Sequence, residues 1–261
     1  MAKNSAGEMP FLDHLEELRW RIIWSLAALA IGLGVGFFVV MKLNLIHVLQ
    51  APIAPYLGGR KLVYTHPGDP FSILLNAALV VGVIVASPVI IYQLWAFLSP
   101  ALYRHEKRVV IPVILGAVLL FMAGVSLAYF FVLPMTLKFL IGIQVGSLEP
   151  MITASEYFGF VTILALAMGA VFELPIVILG LAAMGLVTPK LLVRFRKYAF
   201  VLSYVVAAFI TPGDLLVTTF ALTVPLYLLY ELSVLLATIV FRKKRKAAEF
   251  AAEQTAAGGV A

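Results

Sequence analysis

Residues 22–41 read IIWSLAALAIGLGVGFFVVM, a run without a charge, bounded by Arg21 and Lys42. At 1.5 Å per residue a helix of about 20 residues spans about 30 Å, the thickness of a bilayer's hydrocarbon core. Lipid offers the backbone no hydrogen bonds, so such a run crosses the membrane as a helix. Working outward, similar runs recur at 71–98, 109–133 and 157–186, and two more follow at 198–210 and 215–241. Composition agrees: 63% of the chain is hydrophobic and 12% charged, with a mean hydropathy of +1.06. A soluble domain carries about 25% charge.

The chain has no cysteine, which excludes a disulfide framework, a thiolate metal site and a cysteine nucleophile. The first apolar run follows an acidic amphipathic segment, not a short basic one, so it reads as a retained anchor.

Basic residues orient the six spans. Lys3, Arg19, Arg21, Arg104, Lys107, Arg108, Lys190, Arg194, Arg196, Lys197, Arg242, Lys243, Lys244, Arg245 and Lys246 fall on one side. Only Lys42, Arg60, Lys61 and Lys138 fall on the other. This asymmetry puts both termini in the cytoplasm. The net charge of +6 therefore expresses topology and contact with anionic lipid, and no nucleic-acid partner is expected.

The expected fold is an all-α integral membrane protein, one six-helix domain over residues 1–241. A tail over 242–261 is basic at first and then disordered. Prolines at 88, 112, 175 and 225 should each bend the helix or free a carbonyl, and kinked helices suggest a curved, concave wall. Thr153 to Glu156 matches a capping box, and the turn 211–214 places Asp214 to cap the last helix. The loop 42–70, with Pro52 and Pro55, should fold back as a cap on the outer surface. The fifth span, 13 apolar residues over 198–210, reaches only about 20 Å. Either the turn after it lies below the outer surface, or the bilayer thins to meet it, or that helix is packed inside the bundle and shielded from lipid.

Two sets of polar residues stand out. Glu173 lies mid-span, where a charge costs roughly 2 to 4 kcal/mol, so it should face protein or water, or be protonated. Thr211, Thr218 and Thr219 are candidate partners. Glu231 sits nearer the inner boundary. At the N-terminus Phe11, Leu15, Leu18 and Ile22 share one helix face, while His14, Glu17 and Arg21 share another, with Glu17 and Arg21 spaced for an i,i+4 pair. Glu16 and Glu17, with Glu106 among Arg104, His105, Lys107 and Arg108, place acids on a face that is otherwise basic, where a cationic guest could dock.

Four segments, in order, carry a resemblance: HLEELRWR at 14–21, SPVIIYQLWAFLSPALYRHE at 87–106, FELP at 172–175 and TPGD at 211–214. Together they closely resemble the TatC family of twin-arginine translocase proteins, from Leu12 to about Phe241. The resemblance implies a receptor for twin-arginine signal peptides of folded cargo. It works with single-span partner proteins of the TatA/TatB type, within a larger self-associating complex in a bacterial-type cytoplasmic membrane, driven by the proton-motive force. It implies that Glu17 and Glu106 recognise the arginine pair, helped by Arg19 and Phe97, and that Glu173 is the buried acid near which those partners dock. Pro52, Pro88 and Asp214 take structural roles. The chain departs from the pattern in Glu16 beside Glu17, in Trp20 where a basic residue is common, and in Thr218 where relatives often carry glutamine.

A proton-coupled secondary transporter would also use an intramembrane acid, but with paired halves and several midplane polar residues, which this sequence lacks. No Gly-x-Ser-x-Gly, His-Glu-x-x-His or phosphate-binding Gly-Lys loop occurs, so no catalytic, metal or cofactor site is expected.

Overall fold

The computed structural model describes residues 11–98, 107–142, 151–211 and 216–258, with the backbone alone for 11–14, 98, 107–110 and 243–258. The elements are α1 (Phe11–Leu43), α2 (Leu45–Gln50), α3 (Asp69–Leu98), α4 (Lys107–Leu127), α5 (Leu133–Gly142), α6 (Ala154–Phe172), α7 (Leu174–Ala183), α8 (Pro189–Ile210) and α9 (Val217–Gly258). Among the described residues five helical stretches are long and apolar enough to cross a membrane: Leu15–Leu43, Asp69–Phe97, Ile111–Gly142, Ala154–Ala183 and Val217–Arg242. The fifth span of the sequence reading lies in the second half of α8, behind Lys190, Arg194, Arg196 and Lys197.

Small residues set the tightest crossing. α1 packs chiefly on α3, and Gly32 and Gly36 of α1 face Ala78, Gly82 and Ala86 of α3. A Cβ on Gly36 would lie 2.9 Å from the Gly82 amide nitrogen, and one on Gly82 would lie 2.9 Å from the Leu33 amide nitrogen. Backbone therefore meets backbone, the arrangement small residues at four-residue spacing permit in lipid. Gly34, between them, has open space around it. α4 crosses α6 by a related device, with Gly169 against the Phe121 ring and Gly124 against Met168 and Phe172.

The largest core cluster joins Ile73 of α3, Leu133 and Leu137 of α5, Phe158 and Met168 of α6, and Leu222 of α9. Around it, apolar side chains such as Ile31, Ile111, Phe209 and Leu228 stand exposed, as lipid-facing positions require.

The prolines behave differently from one another. Pro88, Pro112 and Pro225 sit inside unbroken helices. At Pro88 the lost amide leaves the Ile84 carbonyl without its i+4 donor, and the Ser87 hydroxyl donates to that carbonyl at 2.8 Å. Pro134 follows a π-helical turn at Ala128–Val132, where one extra residue absorbs the mismatch. Pro175 alone among the four expected kinks divides its helix, separating α6 from α7 at Glu173.

The loop 44–68 folds back on the bundle. Asn44 ends α1 in a left-handed conformation, φ 49°, which asparagine tolerates. Ile53 is fully buried in the core. The Tyr129 hydroxyl donates to the Val48 carbonyl at 2.5 Å, and the Tyr157 hydroxyl to the Leu49 carbonyl at 2.7 Å. Val63 forms a parallel bridge with Thr153, and the Ala154 amide donates to the Val63 carbonyl at 2.7 Å. Thr153 is the N-cap of α6, yet its hydroxyl makes no capping bond. At the start of α3 the Thr65 and His66 amides donate to one Asp69 carboxylate oxygen, at 2.9 and 3.0 Å.

At the far end, α9 continues through the basic cluster to Gly258, where the tail was expected to lose order. Residues 242–257 are mostly Ala, Lys, Arg, Glu and Gln, strong helix formers uninterrupted by glycine or proline.

Candidate functional site

The amphipathic start of α1 runs without a break into the apolar stretch, so Glu17 stands just over one turn before the uncharged run that begins at Ile22. The Arg21 Nε donates to Glu17 Oε1 at 3.0 Å, and Arg21 Nη2 forms an ion pair with the same oxygen. Both side chains are 22% exposed while Glu17 Oε2 is itself buried, so the pair is partly desolvated. Arg21 Nη1 also donates to Gln93 Oε1 of α3, at 3.4 Å. One guanidinium thus joins a carboxylate on α1 to an amide on α3.

Phe97 lies one helical turn beyond Gln93 on α3 and is partly buried. Arg19 is exposed on α1, as is Glu16. Glu17, Arg21 and Gln93 therefore meet at the junction of the two helices, with Phe97 one turn further along α3. Glu106 itself lies outside the described residues. Gln93 was missed in the sequence because 72 positions separate it from Arg21, and its only sequence signal was a polar residue in an apolar run.

The second candidate centre is the break between α6 and α7. Glu173 caps both helices, with φ −77° and ψ −10°, and its amide donates to the Ala170 carbonyl at 3.1 Å. Its carbonyl accepts from the Ile176 and Val177 amides at 3.0 and 3.1 Å. Its Oε1 is buried and has no hydrogen-bond partner among the described residues. The expected threonine partnership takes another form. The fully buried Thr211 hydroxyl donates to the Ala207 carbonyl at 2.8 Å and lies 2.9 Å from the Thr219 hydroxyl. That pair fastens the end of α8 to the start of α9. Thr218 is also buried at that end, while Asp214 lies outside the described residues. Pro52 sits in the turn before the buried Ile53, and Pro88 in α3.

Glu231 of α9 accepts from Arg196 Nη2 of α8 at 2.7 Å and from the Tyr227 hydroxyl at 2.9 Å. The Tyr230 hydroxyl donates to the Leu192 carbonyl at 2.6 Å. These contacts clamp α8 to α9 near the basic end, so the geometry gives Glu231 a structural task. Among the described residues no group of three or more His, Asp or Glu could hold a metal ion.

Residues 13–225 match the family described as Sec-independent protein translocase protein (TatC). The Sec-independent protein translocase protein TatC of Aquifex aeolicus is 43% identical over 240 residues, 91% of this chain and 98% of the relative. That of Desulforapulum autotrophicum is 40% identical over 249 residues, 94% of this chain and 90% of the relative. A crystal structure described as the twin arginine translocase receptor TatC superposes with a TM-score of 0.72 at 43% identity, covering 87% of this chain and 99% of the other.

Proposed function

From the premise that the chain belongs to the TatC family of Sec-independent protein translocase proteins, we propose that it is the signal-peptide receptor of a twin-arginine translocase. Six spans place both termini in the cytoplasm of a bacterial-type inner membrane, with the apolar half of α8 as the short fifth span. The α1–α3 junction then opens to the cytoplasm, where newly folded cargo arrives.

The observation that carries this reading is the Glu17 carboxylate, partly buried at that junction and already holding a guanidinium. A planar guanidinium donates along two directions to a carboxylate, and an ammonium cannot reproduce that fork. Glu17 takes one arginine of the guest and Glu106 the other. Arg19 and Phe97 line the approach, and the apolar part of the peptide lies along the concave helix wall.

Glu173, with Thr211 and Thr218 at the α8–α9 turn, forms the intramembrane region where single-span partners of the TatA and TatB type dock. Pro52, Pro88 and Asp214 shape the scaffold around it. Transport of folded cargo is driven by the proton-motive force, in a complex holding several copies of this chain. No cofactor takes part.

Site-specific photocrosslinking tests the reading, with an Arg-Arg signal peptide and its Lys-Lys counterpart offered to the parent, Glu17→Gln and Glu106→Gln. The parent should capture the Arg-Arg peptide in preference, and each variant should lose about tenfold or more, the loss expected for one partner of a charge-assisted pair. Equal capture of both peptides by all three proteins rules it out.

A further inference from the structure

The receptor's arginine site holds an arginine of its own. Arg21 places Nε and Nη2 on Glu17 Oε1 and turns Nη1 toward Gln93. We propose that Arg21 is an internal competitor for the guest: it occupies Glu17 in the empty receptor, and a guest arginine displaces it toward Gln93. This rests on the reading of Glu17 as an acceptor for a guest arginine.

Two observations support an exchange. Glu17 and Arg21 are one helical turn apart on a continuous helix, so the pair forms with no loop to order and is present before any guest arrives. Gln93 gives the displaced guanidinium a second acceptor within reach, across the helix junction at 3.4 Å. The arginine can therefore move over without being left unsatisfied at a partly buried site.

The competitor sets how tightly the receptor holds any guest. A guest guanidinium offers the carboxylate what Arg21 offers it, so the exchange is nearly balanced and the rest of the peptide decides it. An ammonium is a compact, strongly hydrated charge that sheds water at greater cost and brings no fork, so it gains less from the same carboxylate. The contact with Arg21 has to be broken for either guest, so it lowers both affinities by one factor and leaves their ratio to the guests themselves. Arg21 is thus an autoinhibitory residue acting through Glu17.

The test uses the full chain in lipid nanodiscs and fluorescent signal peptides with Arg-Arg or Lys-Lys, read by anisotropy. In Arg21→Gln both peptides should gain affinity by the same factor, about fivefold, so the preference ratio stays at the parental value. In Gln93→Leu the preference should remain while Arg-Arg association slows about threefold, because Arg21 has nowhere to go. Unchanged or weaker binding of the Arg-Arg peptide by Arg21→Gln overturns the inference. If the thermal profile of Arg21→Gln shows that it does not fold, an unchanged association rate in Gln93→Leu overturns it alone. Glu17→Gln separates the two readings: if it binds Arg-Arg like the parent, the receptor reading of Glu17 fails, whereas loss of binding there with parental affinities in Arg21→Gln sinks only the competitor.

Discussion

The Tyr157 hydroxyl reaches across 108 positions of sequence to donate to the Leu49 carbonyl at 2.7 Å, and Tyr129 takes the adjacent Val48 carbonyl. Two consecutive carbonyls at the end of a six-residue helix are thereby satisfied by two side chains from the bundle.

Removing the Tyr157 hydroxyl should release that helix. Tyr157→Phe leaves the Leu49 carbonyl unmet and should cost about 1 to 2 kcal/mol, seen as a lower melting temperature in detergent. Hydrogen exchange should quicken in residues 45–50. Tyr129→Phe, at a more exposed bond, should cost less.

The glycine seam separates two superficially equal positions. Gly32→Ala drives a methyl into the Gly82 carbonyl and the Ala86 side chain, where backbone cannot yield, and should destabilise by about 1 to 3 kcal/mol. Gly34→Ala meets nothing and should be neutral or stabilise by up to about 1 kcal/mol through helix propensity. Unfolding of the two variants under one denaturant series gives the comparison.

Ser87 and Pro88 form a coupled pair. Ser87→Ala strips the Ile84 carbonyl of its donor and should cost about 1 kcal/mol. In a Pro88→Ala background the restored amide serves that carbonyl, so the Ser87 effect should disappear. A double-mutant cycle reads the coupling directly.

Glu173 should show stability and function pulling apart. Its buried, unpartnered Oε1 carries a desolvation cost, so Glu173→Leu should melt no lower than the parent. Transport of a twin-arginine cargo, measured in inverted vesicles, should nevertheless fall. A variant that melts well below the parent would instead assign Glu173 to the scaffold.

Much of this was legible because lipid imposes simple rules. The apolar runs announced the helices, and the spacing of Glu17 and Arg21 announced their pair. Long-range partners were not legible: nothing local links Arg21 to Gln93, or Thr153 to Val63. Thr153 had the right residue type for a capping bond, yet its hydroxyl makes none, and its backbone bridges to Val63 of the loop. All four prolines in the spans read as positions that bend the helix or free a carbonyl; Pro175 splits its helix and Pro88 frees the Ile84 carbonyl. Ser87 repairs the bond lost at Pro88, whereas at Pro175 the chain opens and the Glu173 carbonyl restarts the next helix. The four-residue spacing of Gly32 and Gly36 carried no expectation in the sequence, because its partner surface on α3 emerges only in the fold. The family resemblance, carried by four ordered motifs, named Glu17 and Glu106 as the expected acids before any geometry did.

The glycine seam has a consequence for the spacing of the two helices. Where two helices meet through side chains, their separation can drift as rotamers change. α1 and α3 meet through main chain at Gly32, Gly36 and Gly82, so at that crossing their spacing is set like a caliper at one fixed width, a dimension that side-chain motion cannot alter.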